Sequence, residues 1–368
     1  MKQTRLLLVS LLATGILTFT GCGGGGGGGN GGNGGNGVDP TPVTNTTFNL
    51  VSLAGLAGGS FSAGIAINDG GLAVGISDDG INTKGAKWTV TDTAPAATLL
   101  SPLDGNNYSA AYGVNTAGVT VGESGTVVAT VPDATTVAVF WSAAAAQPLP
   151  NAGLFAGGDS AAYSISADGK VVGEAVNDAA GNTAAVFWAS TATAPVILGN
   201  LPGGTFASAY FIGADGRIVG EARNSAGQVQ AVVWTPAAGV FTAGQAPTPL
   251  AELTGQLASV ALGVEANGRI VGEAELPGGE VHGIIWNADG TIASDLGANT
   301  SLQAINSADR LVGYSTPEAT GNRAAIWNGA NLADVKSVAP AVSWAFGVNA
   351  GSQIIGTNGV QAFAAIPQ

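Results

Sequence analysis

Short hydrophobic segments separated by polar turns recur from residue 58 to the C-terminus. In the third of seven copies, an alternating segment around Ala161–Ser166 leads through Asp168-Gly169 to further segments at Lys170–Ala175 and Ala184–Trp188. A fourth segment lies near Pro195–Leu198. Short runs rich in Val, Ile and aromatic residues and bounded by Gly, Asn or Asp are typical of β-strands, and Asp-Gly pairs are typical of tight hairpins. Each copy therefore predicts four antiparallel strands.

Two residue types recur at fixed places in the copies. A glycine follows an apolar pair at Gly75, Gly122, Gly173, Gly220, Gly272, Gly313 and Gly356. A tryptophan ends the third predicted strand at Trp88, Trp141, Trp188, Trp234, Trp286 and Trp327, with Ala365 at that place in the seventh copy. Four strands in about 40–50 residues is the size of one propeller blade. The tryptophans are interpreted as packing between blades, and the alternative is a platform for carbohydrate.

The two ends of the repeat region complement each other. The seventh copy lacks a fourth strand, whereas Thr46–Leu53 is a strand-like segment without a blade of its own. If that segment is the outer strand of the last blade, the ring closes and no sheet edge stays open. The sequence therefore predicts an all-β protein: a seven-bladed β-propeller of four-stranded antiparallel blades over residues 46–368, closed by an N-terminal strand in the last blade.

The first 45 residues have a different character. Lys2 and Arg5 precede an apolar stretch and small residues, which is the pattern of an export signal. The one cysteine, Cys22, follows Phe19-Thr20-Gly21, and this segment resembles a bacterial lipobox. The sequence predicts a signal peptide over residues 1–21, lipid attachment at Cys22, and a flexible Gly/Asn-rich tether over residues 22–45. The protein is expected to be exported and lipid-anchored in the bacterial envelope, at the outer membrane or the cell surface.

The repeats resemble those of the HAF-repeat extracellular proteins, which are named for a His-Ala-Phe triplet ahead of a Trp. The sole histidine stands at that place in His282-Gly283-Ile284-Ile285-Trp286, and Gln361-Ala362-Phe363 keeps the other two letters. The segment from Leu198 to Gly204 is similar to the linking pattern Leu-Gly-x-Leu-x-Gly-Gly of that family. The resemblance covers Leu53 to Ile366. It implies an extracellular, propeller-like protein and implies no particular reaction.

Charge and composition limit the chemistry. The formal net charge of −13 opposes nucleic acid and anionic lipid headgroups as partners. One His and one Cys cannot supply a zinc site, and no phosphate- or dinucleotide-binding fingerprint has its required strand–helix context. No metal or cofactor is therefore expected, and His282 is interpreted as packing on the third strand or making a satisfied polar contact. Asp168, Asp215 and Asp309 are interpreted as hairpin-turn residues and not as calcium ligands.

One set of residues suggests more than packing. Four consecutive copies place a glutamate directly after the recurring glycine, at Glu123, Glu174, Glu221 and Glu273. Equivalent positions in a ring form an arc, so these carboxylates are candidates for binding a cation or a basic ligand at the channel mouth. The alternative is that they point outward and keep the surface soluble. A paired-carboxylate glycosidase would need two of them roughly 5–10 Å apart around a sugar.

The sequence thus favours a surface-anchored binding or interaction module, monomeric and directed at an unidentified protein or glycan of the cell surface. The alternative is a hydrolase or lyase that acts on polysaccharide with carboxylates at the axial channel. Outward-facing glutamates would favour the binding module, and a carboxylate pair facing a deep pocket would favour the enzyme. The most variable connections are Val90–Asn107, Val127–Thr136 and Val240–Thr254, and they are expected to carry the function at one rim.

Overall fold

The computed structural model describes residues 47–91, 93, 95–127, 135–316, 321–329, 331–337 and 343–368, with the backbone alone over residues 331–337. The predicted signal peptide, Cys22 and the tether lie outside these ranges. All regular elements within the ranges are β-strands, and none of the described residues belongs to a helix able to cross a membrane.

The strands form seven four-stranded antiparallel sheets, as the repeats predict. Blade one comprises β2 Ser62–Ile67, β3 Leu72–Asp78, β4 Thr83–Thr89 and β5 Thr98–Leu100. Blade two comprises β6 Tyr108–Val114, β7 Thr120–Gly125, β8 Thr136–Trp141 and β9 Gln147–Pro148. Blade three comprises β10 Ser160–Ile165, β11 Val171–Val176, β12 Thr183–Trp188 and β13 Val196–Ile197. Blade four comprises β14 Ala207–Ile212, β15 Ile218–Arg223, β16 Val229–Trp234 and β17 Thr248–Pro249.

The remaining blades follow the same order. Blade five comprises β18 Ala258–Val264, β19 Ile270–Leu276, β20 Glu280–Trp286 and β21 Ile292–Ala298. Blade six comprises β22 Thr300–Ile305, β23 Arg310–Ser315, β24 Arg323–Asn328 and β25 Asn331–Ser337. Blade seven comprises β26 Trp344–Val348, β27 Ile354–Thr357 and β28 Ala362–Pro367, together with β1 Phe48–Leu53. In each blade the four strands are called inner, second, third and outer in this order.

The N-terminal strand closes the ring, as predicted. β1 pairs antiparallel with β28 from Phe48 opposite Pro367 to Leu53 opposite Ala362. The inner strands of blades one and seven, β2 and β26, also contact each other, as do the inner strands of every other neighbouring pair. The protein is therefore a closed seven-bladed β-propeller in which the first and last segments of the folded region share one sheet.

The recurring glycine is explained by the bulge that it faces. In every blade the inner strand carries a β-bulge one residue beyond the partner of this glycine; in blade four, Ala209 faces Gly220, Phe211 faces Val219, and Tyr210 is the extra residue. A Cβ atom on Gly220 would lie 2.0 Å from the carbonyl oxygen of Ser208. The other six glycines would meet an inner-strand carbonyl at 1.9–2.0 Å. Only glycine permits this close approach of the two strands.

The tryptophans join neighbouring blades, in agreement with the packing interpretation. They are 0–3% exposed, and five of the indole Nε1 groups donate a hydrogen bond to a carbonyl that lies just beyond the outer strand of the preceding blade. Trp88 of blade one, for example, donates to Ala54 after β1, at 2.8 Å. The apolar ring fills the space between two sheets while its N–H group is satisfied.

A second polar contact joins the blades at the start of the inner strand. The hydroxyl of a Ser or Thr accepts a hydrogen bond from a third-strand N–H of the preceding blade, as Ser160 does from Ala138 at 2.9 Å. The same contact recurs at six of the seven junctions, through Ser62, Ser109, Ser160, Ser259, Thr300 and Ser343. In blade four Ala207 takes this place. The donor is always the small residue that stands three positions before the Trp column, because only a small side chain leaves room for the hydroxyl.

Polar side chains also link the blades around one rim, here called the hairpin rim, which carries the turns between inner and second strands. Asn306, Asn349, Asn68 and Asn115 each donate from Nδ2 to a backbone oxygen of the next blade. Arg269 spans blades five and six by pairing with Asp309 at 2.6 Å. The opposite rim, called the crossover rim, carries the connections from each outer strand to the next blade.

Candidate functional site: the central channel

The inner strands of all seven blades surround a central channel of about 430 Å³. Its wall includes the bulge residue of each inner strand, and the sheet therefore aims this side chain at the axis. The column comprises Ile65, Tyr112, Tyr163, Tyr210, Leu262, Gln303 and Phe346. All but Tyr112 are only partly buried, so they face space that is open to a ligand. Six of the seven are aromatic or aliphatic, and the exception is Gln303, so the wall is largely apolar.

Three consecutive blades contribute a tyrosine arc, defined as Tyr112, Tyr163 and Tyr210. The ring centroids of Tyr112 and Tyr163 are 5.5 Å apart, and those of Tyr163 and Tyr210 are 5.3 Å apart. The ring planes are tilted by 52° and 50°, which is a favourable arrangement for aromatic pairs. The arc forms a continuous aromatic wall on one side of the channel.

The predicted glutamates lie behind this arc. Glu123 Oε1 accepts hydrogen bonds from the hydroxyls of Tyr108 and Tyr112, both at 2.8 Å. Glu221 Oε1 accepts one from Tyr210 at 2.9 Å. Glu174 holds the equivalent position in blade three, opposite Ala161 of the inner strand. Since buried carboxylates require hydrogen-bond donors, the tyrosine hydroxyls are what allow these charges to lie inside the protein.

The alternative that the glutamates point outward is wrong for Glu123, Glu174 and Glu221, which are 5%, 7% and 2% exposed. They lie on the face of the second strand that meets the next blade: Val121, two residues before Glu123, packs against residues of blade three. Alternation in the sequence distinguishes the two faces of a strand, but neighbouring blades on either side cover both faces of these second strands. None of these three carboxylates belongs to the channel wall among the described residues.

Burial and the nearby carboxylates raise the pKa values of two tyrosines of the arc. Burial raises the pKa of the Tyr112 hydroxyl well above its ordinary value, and the charge of Glu123 raises it further. Burial also raises the pKa of Tyr210 well above its ordinary value, with Glu221 and then Glu174 adding to the effect. Both phenols therefore stay protonated and act as hydrogen-bond donors to the carboxylates.

Glu273 differs from the other three glutamates because its side chain is part of the channel wall and is only partly buried. In blade five the bulge residue is Leu262, so no tyrosine stands at the place of Tyr112 or Tyr210. Ser301 Oγ donates to Glu273 Oε2 at 2.6 Å, and this is the one hydrogen bond that the carboxylate accepts from the described residues. Burial raises the pKa of Glu273; the Ser301 hydrogen bond opposes this and Glu275 reinforces it.

The side of the channel near Glu273 is more polar than the tyrosine arc. Gln303 Nε2 donates to Ser301 Oγ at 2.7 Å, which orders the serine that holds the carboxylate. Tyr314 stands in blade six at the place of the glutamates, and burial followed by the charge of Glu273 raises its pKa. The indole of Trp344 also lines the wall, and its Nε1 has no hydrogen-bond partner among the described residues. The channel thus has an aromatic side and a carboxylate side.

Other predicted positions are structural. The turns at Asp168 and Asp215 are hairpins in which Gly169 and Gly216 take φ values of 86° and 83°, and Asp309 itself takes a φ of 56°. No cluster of three or more metal-ligating side chains exists among the described residues. His282 Nδ1 lies 2.8 Å from Asp295 Oδ1 on the third strand of blade five, away from the channel wall, in agreement with a structural role.

The variable connections do not lie at one rim, contrary to expectation. Residues 90–107 and 240–254 each include an outer strand, β5 or β17, and therefore run from the hairpin rim to the crossover rim. The connection 127–136 joins a second strand to a third at the crossover rim, and its residues 128–134 lie outside the described part of the chain. The connections are therefore divided between two surfaces, whereas the channel wall is one continuous site.

Comparison with known proteins agrees with the fold and goes no further. No family model matches the chain, and no curated protein matches it. A puromycin hydrolase is similar in structure with a TM-score of 0.50 and 15% identity, over 77% of this chain and 45% of that one. The β-propeller domain of the Trilobed protease from Pyrococcus furiosus has a TM-score of 0.49 and 11% identity, over 83% of this chain and 95% of that one. A gluconolactonase from Xanthomonas campestris has a TM-score of 0.42 and 12% identity, over 87% and 89%.

Proposed function

We propose that the protein is a lipid-anchored binding module of the bacterial envelope that holds a small ligand in its central channel. The observation that carries this proposal is the channel itself. Its volume of about 430 Å³ lies in the usual range for small-molecule sites. Its wall is mainly apolar and aromatic with a few polar groups, which is also typical of such sites.

The placement of the carboxylates supports binding over hydrolysis or lysis of a polysaccharide. A general acid or base must lie within hydrogen-bond reach of the substrate, yet Glu123, Glu174 and Glu221 lie behind the wall. Within the described part of the chain, the carboxylates of the wall are Glu273 and Asp69. Glu273 faces the beginning of an inner strand, and Asp69 follows the end of one, so about six residues of strand separate their levels. At about 3.3 Å per residue this is roughly 15–20 Å, too far for a glycosidase pair.

A variant that fills the channel tests this proposal. Leu262→Trp places a large side chain at the bulge position of blade five, and Leu257→Trp places the same side chain at an exposed site on the crossover rim. Compounds that raise the melting temperature of the wild type by binding the folded state are expected to lose that effect with Leu262→Trp and to keep it with Leu257→Trp. Ligands whose effect persists in Leu262→Trp would place the site elsewhere.

The rival reading is tested directly with a panel of bacterial and plant polysaccharides. The binding proposal expects no new reducing or unsaturated ends after incubation with the purified protein. If ends are produced and disappear in the Glu273→Gln variant, the hydrolase or lyase reading replaces it.

The anchoring part of the proposal has a separate test. β1 begins at the hairpin rim, so a tether that precedes it would join the folded domain at that rim. Metabolic labelling with a fatty-acid analogue is expected to mark the wild type and not Cys22→Ala. Labelling of the Cys22→Ala variant would contradict attachment at this residue.

A further inference from the structure

The wall of the channel carries negative charge and no compensating positive charge. Glu273 and Asp69 belong to it, and no Lys, Arg or His does among the described residues. Three more carboxylates, those of Glu123, Glu174 and Glu221, lie immediately behind the tyrosine arc. Glu123 accepts a hydrogen bond from Tyr112, and Glu221 accepts one from Tyr210. Charges of one sign around a partly enclosed space concentrate the electrostatic field there. The channel therefore attracts cations and repels anions.

The tyrosine arc adds a second attraction for a cation. The faces of aromatic rings carry a partial negative charge and bind cations, most strongly where water is excluded. Each hydroxyl that donates to a carboxylate is polarised by it, which makes the ring face more negative. Because the phenols stay protonated, the rings attract a cation without acquiring a charge of their own.

Glu273 is placed to provide the ionic contact. Of its two carboxylate oxygens, Oε2 is held by Ser301, and Oε1 accepts no hydrogen bond from any described residue. In blades two and four the corresponding carboxylates are covered by tyrosine hydroxyls, whereas Leu262 leaves this one uncovered. The apolar residues of the wall favour a ligand with a hydrocarbon or aromatic body over a hydrated metal ion, and the described residues contain no metal-binding cluster.

We infer that the ligand of the channel is a small organic cation of the ammonium class, whose charge lies between Glu273 and the tyrosine arc and whose apolar body contacts Phe346 and Trp344. This inference rests on the proposed function, since it assigns a chemical class to the ligand of the same site. A neutral sugar would use the same rings but would not depend on the charge of Glu273, and the two ligand classes can therefore be separated.

Three benzyl compounds that differ in charge test the inference by isothermal titration calorimetry: benzyltrimethylammonium, benzyl alcohol and benzoate. The wild type is expected to bind the cation, to bind the alcohol more weakly and not to bind benzoate. Glu273→Gln is expected to raise the dissociation constant of the cation about tenfold or more, because a charge contact in a partly buried site is lost. Its control is Glu275→Gln, which removes the same charge from an exposed position two residues along the same strand and is expected to change the constant much less.

A second variant separates the ring contribution from the ionic one. Tyr163→Leu keeps an apolar side chain in the arc. It is expected to raise the dissociation constant of the cation roughly two- to fivefold and that of benzyl alcohol by less. Equal affinity for the cation and the alcohol, equal effects of Glu273→Gln and Glu275→Gln, or no binding of the cation would each overturn the inference. A further outcome separates the inference from the proposed function. If compounds bind the wild type and not Leu262→Trp, but positive charge gives no preference, the channel remains the binding site and only its specificity for cations is refuted.

Discussion

The glycine of the second strand is the most constrained single residue in each blade. A Cβ atom on Gly220 would lie 2.0 Å from the Ser208 carbonyl oxygen, and neither atom belongs to a flexible side chain. Gly220→Ala is therefore expected to lower the free energy of unfolding by about 1–3 kcal/mol, since the two strands must separate. Gly351→Ala is the matched control, because its Cβ would meet nothing closer than 3.5 Å. Chemical denaturation of the two variants measures the difference, and equal stabilities would contradict the explanation of the glycine column.

Glu273 makes the stability of the protein depend on pH. Because the folded-state pKa of Glu273 is raised above the ordinary value of 4.5, the folded protein binds this proton more tightly than the unfolded chain does. The resulting stabilisation is fully present below pH 4.5 and is lost as the pH rises through the folded-state pKa. The stabilisation that Glu273 contributes therefore decreases as the pH rises above 4.5.

Glu273→Gln removes this effect and is expected to match or exceed the wild type in melting temperature at pH 7.5, with a smaller gain at pH 4. Glu275→Gln, at an exposed position, serves as the control at both pH values. A Glu273→Gln variant that is clearly less stable than the wild type at pH 7.5 would show that the carboxylate is a structural group. Higher stability combined with weaker ligand binding is the combination expected of a functional residue.

The sequence suggested the channel mouth or the outer surface for the glutamates, and Glu123, Glu174 and Glu221 occupy neither place, because they are buried between blades. The alternation of side chains along β7 distinguishes the two faces of the strand. It does not indicate that neighbouring blades cover both of them. A signal was nevertheless present: Tyr112 and Tyr210 precede Glu123 and Glu221 by 11 residues each. A tyrosine and a glutamate at the same spacing in copies two and four point to a hydrogen-bonded pair.

At the scale of strands, the hydroxyl that links adjacent blades makes its own contribution to the stability of the fold, and this contribution can be measured separately. Ser160→Ala removes the acceptor of the Ala138 N–H group and leaves a buried donor unpaired. The expected loss is about 1–3 kcal/mol in the free energy of unfolding. Ser142→Ala, at an exposed position after β8, is the control and is expected to change the stability by less than about 0.5 kcal/mol. A loss no larger than that of the control would show that the junction does not depend on this contact.

Inner, second and third strands were predictable because they alternate and end at Asp-Gly turns or at the Trp column. In blade three the predicted Lys170–Ala175 and Ala184–Trp188 correspond to β11 Val171–Val176 and β12 Thr183–Trp188. The outer strands of blades one to four are only two or three residues long, and β9 and β17 each consist of two residues that include a proline. Proline cannot donate to a sheet and keeps such edges from pairing further. The bulge of the inner strand was not predictable, because it depends on the register between two strands.

At the scale of the molecule, closure by β1 is expected to set the stability of the ring. A chain that begins at residue 55 lacks β1 and the Ala54 carbonyl that Trp88 binds, and it exposes the edge of β28. It is expected to melt at a lower temperature or to aggregate, because a sheet edge and two blade faces lose their cover. A chain that begins at residue 46 keeps all of these contacts and is expected to melt like the full-length protein. Equal melting temperatures of the two shortened chains would contradict a structural role for the closure.

The repeats predicted the ring, but they did not predict the channel as a binding site. Its wall combines residues from seven strands that are distant in sequence, and their convergence follows only from the closed ring. The contrast between an aromatic side and a carboxylate side arises because Tyr112, Tyr163 and Tyr210 give way to Leu262 in the next blade. A departure from a repeat at one position therefore carries more functional information than the repeat itself.

A crystal structure of the protein with benzyltrimethylammonium bound would show directly whether the channel takes an organic cation. We expect the ammonium group in the channel, within contact distance of Glu273 and facing the rings of Tyr163 and Tyr210. An empty channel with the compound bound at either rim would contradict it.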